Sequence, residues 1–199
     1  VNFLRGTVSQ IDVTARRVSW RDESGIMQQQ SYDRLILASG SHVNRSQVAG
    51  VAEHAFDLDQ LESAEVLEQH LNGLAQRPDS PTRNTVVVCG GGFTGIEMAT
   101  ELPARLREIL GAQAKTRVVV IERGPQPAAR FSEELRNVII EASTELGVEW
   151  KVNAEVEQVT AEGVTLKDGQ TIAAQTVIWT VGVQANDLTA QIDAPRDRQ

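Results

Sequence analysis

What this chain has least of is cysteine. Its 199 residues include one, Cys89, which excludes an intrachain disulfide and any Cys-x-x-Cys redox pair. That scarcity points to a reducing compartment. An excess of basic charge is also lacking, since 19 Lys and Arg stand against 27 Asp and Glu, a formal net charge of −8. Gripping a nucleic-acid backbone needs clustered cations, so no nucleic-acid partner is expected. No apolar run approaches the roughly 18 residues of a membrane span, and no signal-peptide pattern opens the sequence. His42, His54 and His70 show no ligand spacing and have no cysteine pair to join. They read as surface or loop residues, and no metal site is expected. No Ser/His/Asp arrangement can be argued from spacing. What remains, 41% hydrophobic and 23% charged residues, is the composition of a soluble globular protein able to bury a core. The chain begins at Val1 and closes on the polar "DAPRDRQ", which reads as a fragment.

The patterns that are present alternate strand and helix. Residues 5–38 read as short strands, the last being the apolar "RLILASG". Leu58, Leu61, Ala64, Leu67, Leu71 and Leu74 recur at the spacing of one helix face, with Asp57 placed to cap it. "QRPDSPTR" follows as a linker. A strand at 85–89, a helix from about Thr94 to Leu110 and a strand at 117–122 come next; Pro103 should kink that helix. Ser132 is positioned to cap a third helix, with Glu133 and Glu134 suited to its dipole and Gly147 at its end. Its expected buried face is Leu135, Val138, Ile139, Ala142 and Leu146, and "VEWKV" is the next strand. The order predicts an α/β fold with a Rossmann-like parallel sheet.

An internal repeat adds to this. "GTVSQIDVTARRVSWRDESGIMQQQSYDRLILASGS" and "AEVEQVTAEGVTLKDGQTIAAQTVIWTVGV" carry the same parts in order, with turns at Gly25 and Gly169. The second copy, a β-meander crossover, follows a glycine-rich unit. Symmetry therefore predicts a partial second domain of the same kind, with its own glycine-rich unit upstream of Val1. The expected organisation is 1–50 partial domain, 51–83 connecting helix and linker, 84–183 nucleotide domain, and 184–199 the return to the first.

Gly90, Gly92 and Gly95 form G-x-G-x-x-G between strand and helix, the arrangement that holds a dinucleotide pyrophosphate on backbone N–H groups. Gly91, Phe93, Thr94 and Ile96 complete the loop. Glu122 ends the next strand, 27 residues after Gly95, against a usual gap of about 20. A carboxylate there accepts from both ribose hydroxyls and repels a 2′-phosphate, which favours NADH over NADPH. Arg123 beside it could accommodate that phosphate, and the lesser alternative is a solvated Glu–Arg pair at a strand end. Cys89 reads as a small core hydrophobe. Trp179 reads as core with a second use lining the crevice. Glu97, read on the first helical turn, is first of all a dipole partner.

"YDRLILASGS", "VVVCGGGFTGIEMATEL", "RVVVIE", "FSEELRNVIIEASTELGVEWKV" and "TVIWTVGVQAN" stand in the order found in flavoproteins with two dinucleotide-binding domains. Over nearly its whole length the chain resembles type II NADH dehydrogenases, single-subunit NADH:quinone oxidoreductases of the FAD-dependent pyridine nucleotide-disulfide oxidoreductase superfamily. The resemblance implies FAD as redox centre, NADH as hydride donor and a quinone as acceptor. It implies that Gly90 to Gly95 and Glu122 hold NADH, and that Glu97 lies near the nicotinamide–flavin contact. Val181, Gly182 and Val183 would border the nicotinamide, and Ala38, Ser39 and Gly40 would belong to the FAD domain near the flavin nucleotide. Ser39 replaces a usual threonine, and Ala49-Gly50 a common Pro-Gly. An upstream FAD loop, a later Gly-Asp flavin motif and C-terminal helices seating the enzyme on the cytoplasmic face of the membrane are expected beyond the ends, so this chain alone should not turn over. Exposed strand edges in residues 1–50 invite self-association, so a homodimer is one expected partner. The alternatives are an NADH-dependent ferredoxin- or rubredoxin-type reductase, which usually reads "VGxxPN" where this chain has "WTVGVQAN", and a non-catalytic NAD-binding redox sensor.

Overall fold

A computed structural model describes residues 1–45 and 48–195; the last four residues of the polar end, and Ser46 and Gln47 within the expected first domain, lie outside the described residues. The chain divides into one unit of residues 1–42 with 183–199 and a second of residues 43–182.

In the first unit, β1 (Gly6–Asp12), β2 (Arg17–Asp22) and β3 (Met27–Ser31) form an antiparallel meander. Asp22 closes the β2–β3 turn by accepting from the Ser24 and Ile26 N–H groups, and Gly25 takes φ +79. β4 (Ser41–Val43) ends at the boundary between the units. The expected strand over "RLILASG" does not form: residues 34–40 have no regular structure, and Ile36 is 91% exposed. Among the described residues no strand lies alongside to take its backbone hydrogen bonds, and apolar content cannot substitute for a partner.

In the second unit, α1 (Val51–His54) and α2 (Leu61–Gly73) precede β5 (Thr85–Cys89), which leads into α3 (Phe93–Leu110), β6 (Arg117–Ile121), α4 (Glu133–Glu145) and β7 (Val148–Lys151). A second meander, β8 (Val156–Thr160), β9 (Gly163–Leu166) and β10 (Thr171–Ala173), then delivers β11 (Thr176–Trp179) back to the sheet. The sheet is parallel, in the order β11-β5-β6-β7. The two meanders share a detail beyond sequence pattern, since each has a register shift in its first strand, at Val8/Gln10 and at Val156/Gln158.

β5 is buried at all five positions, as a strand covered on both faces must be. Alternation divides its side chains between two cores. Val86 and Val88 join Val118, Val120 and Ile178 against Leu67 and Leu71 of α2 and Ala99, Leu102 and Leu106 of α3. Val87 and Cys89 join Val119, Ile121, Val177 and Trp179 against the second meander. Each such fully buried aliphatic side chain stabilises by roughly 1.5–3 kcal/mol. The helix continues through buried Pro103 to Leu110. Trp179 is core. Burial alone raises the Cys89 thiol to about 12.

Three expectations about helices change. Asp57 does not cap α2, which starts at Leu61 after Gln60; its carboxylate pairs with Arg45 at 3.1 Å instead. Along α4, Ser132 caps as predicted, accepting from the Leu135 N–H, and Gly147 at φ +74 follows the end. Its apolar stripe is not a buried face, however. Leu135 is 43% and Val138 61% exposed, and the buried residue is Ser143. Ile139 and Ala142 are half-buried, and Leu146, the C-cap that follows the helix, packs against the core. Finally, His70 on α2 is not a surface histidine. Its Nε2 lies 2.9 Å from the Thr176 hydroxyl at the start of β11, and desolvation, helped by Arg77, lowers it to about 4.

The "QRPDSPTR" stretch is tied down by side chains. Arg83, buried, donates to Asn84, to the Arg77 carbonyl and to Asp79, while Asn84 also donates to Asp79.

Candidate functional site

The end of β5 builds the site. Gly90 donates its N–H to the Ile121 carbonyl at 2.9 Å and takes φ +114, a conformation open to glycine. A Cβ there would sit 2.7 Å from Thr180 Oγ1, and a Cβ at Gly95 would collide with the Gly90 carbonyl. Gly92 is different. An added Cβ at Gly92 would meet nothing within 4 Å, so its backbone faces open space. It is the N-cap of α3, and no side chain caps the helix, leaving first-turn N–H groups and the positive dipole end for an anion.

Glu122, half-buried just past β6, is fastened to this loop. Its Oε2 accepts the Gly91 N–H at 2.9 Å, and its Oε1 accepts the Gly124 N–H at 2.6 Å. A carboxylate has about four acceptor positions, so two backbone bonds fix its orientation and still leave capacity for two hydroxyl donors. The glycines and Glu122, far apart in sequence, are thus brought into direct contact. Arg123 is exposed.

The other predicted residues in this unit lie on α3 or follow β11. Phe93 is 70% exposed and packs edge-on against Phe131, with ring centroids 4.6 Å apart. Thr94 and Glu97 are exposed and Ile96 is half-buried. Because α3 begins at Phe93, no acid lies in its first turn; Glu97 falls one turn later, where the dipole has faded. Val181 is half-buried, and Gly182, at φ +76, accepts the Asn44 N–H at 2.8 Å. Val183 opens a short strand, Val183–Ala185, in the first unit. That unit also carries Ala38, Ser39 and Gly40. Gly40 takes φ +69, an added Cβ would meet nothing within 4 Å, and its carbonyl accepts the Asn186 N–H. Its backbone is therefore open to close approach by a ligand, as a flavin nucleotide would require.

Two residues escaped the sequence reading. Thr180 donates its hydroxyl to the Cys89 carbonyl at 2.9 Å and clamps β11 to the loop. Trp150 lies against Gly91, its ring 2.9 Å from where a Cβ would project. The signal for Thr180 was a lone hydroxyl between a continuous apolar strand and Val181-Gly182; Trp150 gave none beyond its place on a strand. Among the described residues, no group of His, Cys, Asp and Glu could hold a metal ion, and no helix is long and apolar enough to cross a membrane.

A parallel sheet, an open glycine turn at a helix start and a carboxylate locked at the next strand end define a fold of the dinucleotide-binding type, with two meanders. The chain belongs to the pyridine nucleotide-disulphide oxidoreductase family, whose model matches residues 1–199. It is 42% identical over 200 residues to an NADH dehydrogenase-like protein of Mycobacterium tuberculosis strain H37Rv, covering 100% of this chain and 49% of that protein. It is 30% identical to the type II NADH:quinone oxidoreductase of Staphylococcus haemolyticus, covering 94% of this chain and 48% of that protein. Among solved structures, NDH2 of Plasmodium falciparum in complex with NADH superposes with a TM-score of 0.80 at 18% identity, over 94% of this chain and 42% of that one. The chain spans about half the length of the curated relatives it matches.

Proposed function

We propose that the chain is the NADH-binding portion, with part of the FAD domain, of an oxidoreductase that passes hydride from NADH to FAD and on to a quinone. The observation that carries the nucleotide assignment is the Glu122 carboxylate locked by Gly91 and Gly124 beside the open backbone of Gly92. In this reading Gly90 to Ile96 hold the pyrophosphate, with Phe93 and Thr94 in the first turn, and Glu122 accepts both ribose hydroxyls and repels a 2′-phosphate. Val181, Gly182 and Val183 border the nicotinamide, Glu97 stands near the nicotinamide–flavin contact, and Ala38, Ser39 and Gly40 approach the flavin nucleotide. The functional division is 1–50 for the FAD side, 51–83 connecting, 84–183 for NADH and 184–199 returning.

FAD, when bound, supplies acceptance of the hydride and its onward transfer as electrons. Summed over the reaction, NADH gives two electrons and one proton, a second proton comes from solvent, and the quinone leaves as quinol. The name of the Staphylococcus haemolyticus relative, a type II NADH:quinone oxidoreductase, supports the quinone as acceptor. The full-length protein is proposed to work peripherally on the cytoplasmic face of the membrane, as a homodimer.

The test is steady-state oxidation of NADH by the full-length, FAD-loaded protein with a short-chain quinone and, separately, a ferredoxin. Quinone reduction with NADH at least about tenfold faster than with NADPH is expected. Reduction of ferredoxin but no quinone would sink the acceptor assignment and leave the nucleotide site standing.

A further inference from the structure

We propose that Trp150 is a positioning residue of the nucleotide site: its indole ring backs Gly91 and keeps the Glu122 carboxylate where it takes ribose hydroxyls and turns away a 2′-phosphate. This rests on the reading of Gly90–Gly95 and Glu122 as the NADH site. The distances meet at Gly91. Its N–H donates to Glu122 Oε2 at 2.9 Å, and an added Cβ would lie 2.6 Å from that same oxygen and 2.9 Å from Trp150 Cζ3. Carboxylate and ring edge thus close on the space a side chain would take. Gly91 stands at an unspecified position of G-x-G-x-x-G; the ring and the carboxylate, not the motif, demand glycine there.

Sheet register brings a β7 residue to this loop. Trp150 pairs with Val120 on β6, which pairs with Val88 on β5, so the three share one row across the sheet and pack in one core. Gly91 lies just past the end of β5, and the ring crosses β6 to meet it. Trp150 Nε1 is buried with no hydrogen-bond partner among the described residues, whereas a buried Trp N–H usually has one. A phenyl or aliphatic side chain would fill the core without stranding a donor. What indole adds is reach, since Cζ3, the atom at Gly91, belongs to its outer, six-membered ring. A rigid ring at that place restricts where Gly91 can donate from, and through Gly91 it fixes Oε2.

Dissociation constants for NADH and NADPH, with thermal midpoints, test this in the full-length protein carrying W150F, W150M, E122Q or W150F with E122Q. W150F, whose shorter ring withdraws from Gly91, should weaken NADH by about three- to tenfold, part of one charge-assisted hydrogen bond. NADPH should weaken less, because a loosened carboxylate repels the 2′-phosphate less, so the preference for NADH falls. W150M, which keeps apolar volume on a flexible chain, should lower the preference in the same direction. With E122Q already present, W150F should change the preference by less than about twofold. An unchanged preference in both Trp150 variants would overturn the proposal even if both affinities fell, since a merely structural ring weakens the two nucleotides alike. So would a fall that persists with E122Q, because Trp150 would then not act through Glu122. Wild-type protein that binds neither nucleotide, or shows no preference for NADH, would bring down the reading of Glu122 itself. That outcome is distinct from a preference for NADH that W150F leaves intact.

Discussion

At the scale of single residues, the three glycines of the loop do different work. Gly95 has no room for a methyl, because the Gly90 carbonyl occupies the place where a Cβ would go. Gly95→Ala should therefore destabilise the fold by about 1–3 kcal/mol, the usual cost of overpacking, and weaken NADH as a secondary effect. Gly92 has φ −80 and an open flank, so Gly92→Ala should leave the thermal midpoint nearly unchanged. In the proposed site the added methyl would occupy the space assigned to the pyrophosphate, and NADH affinity should fall at least about tenfold, near 1.4 kcal/mol. Paired melting curves and nucleotide titrations separate the two; an equal loss of stability in both variants would refute the distinction. Cys89 gives a second prediction at this scale. A thiol raised to about 12 by burial holds almost no thiolate near pH 8, and the thiolate is the reactive form. Alkylation by iodoacetamide should proceed only as fast as the protein unfolds and should accelerate with denaturant. Rapid labelling of the native protein would show that β5 opens locally.

At the scale of elements, α2 is tied to the sheet by a hydrogen bond between a titratable residue, His70, and the Thr176 hydroxyl. Burial lowers His70 from 6.5 to about 4 in the folded protein. Between those values the unfolded chain binds the extra proton, so stability rises with pH there. The contribution is complete above about 6.5 and is lost as pH falls through about 4. The thermal midpoint of wild type should thus drop more steeply over that window than that of His70→Gln; identical slopes would mean that His70 protonates without disturbing α2. The same pair shows where sequence stops informing. β5, β6 and the start of α3 were legible because unbroken apolar runs and a glycine turn have few other uses. His70 was misjudged because its partner on β11 lies 106 residues away. The α4 stripe at Leu135 and Val138 has a buried helix's spacing yet remains exposed; periodicity identifies a helix without saying what covers it. Residues 34–40 failed as a strand for the related reason that strand formation depends on a neighbour. Glu122 is proposed for the site from its type and place at a strand end, but its two backbone donors, Gly91 and Gly124, could come only from the folded loop.

At the scale of the whole molecule, the two units differ in how much they bury. In the first, Ile11 and Ser19 are the buried residues among those described, and Phe3, Leu4, Ile26 and Ile36 are exposed. The second contains both hydrophobic clusters and a parallel sheet covered on two faces. Local opening free energy follows buried apolar contact, so amide exchange in this chain should be strongly graded. β5, β6 and β11 should exchange only through global unfolding of their unit, and β1, β2 and β3 should exchange much sooner, through openings of small cost. NADH sharpens the contrast, because the pyrophosphate and ribose contacts proposed for it, from Gly90 to Glu122, all lie in the second unit. At a hundred times its dissociation constant, a ligand that binds only the folded form stabilises by about 2.7 kcal/mol. Exchange in β5 and β6 should then slow by about a hundredfold, with little change in β1 to β3. Equal slowing in β1 to β3 would mean that the meander of the first unit opens only together with the nucleotide site. Burial within each unit would then be the wrong guide to how this chain divides its stability.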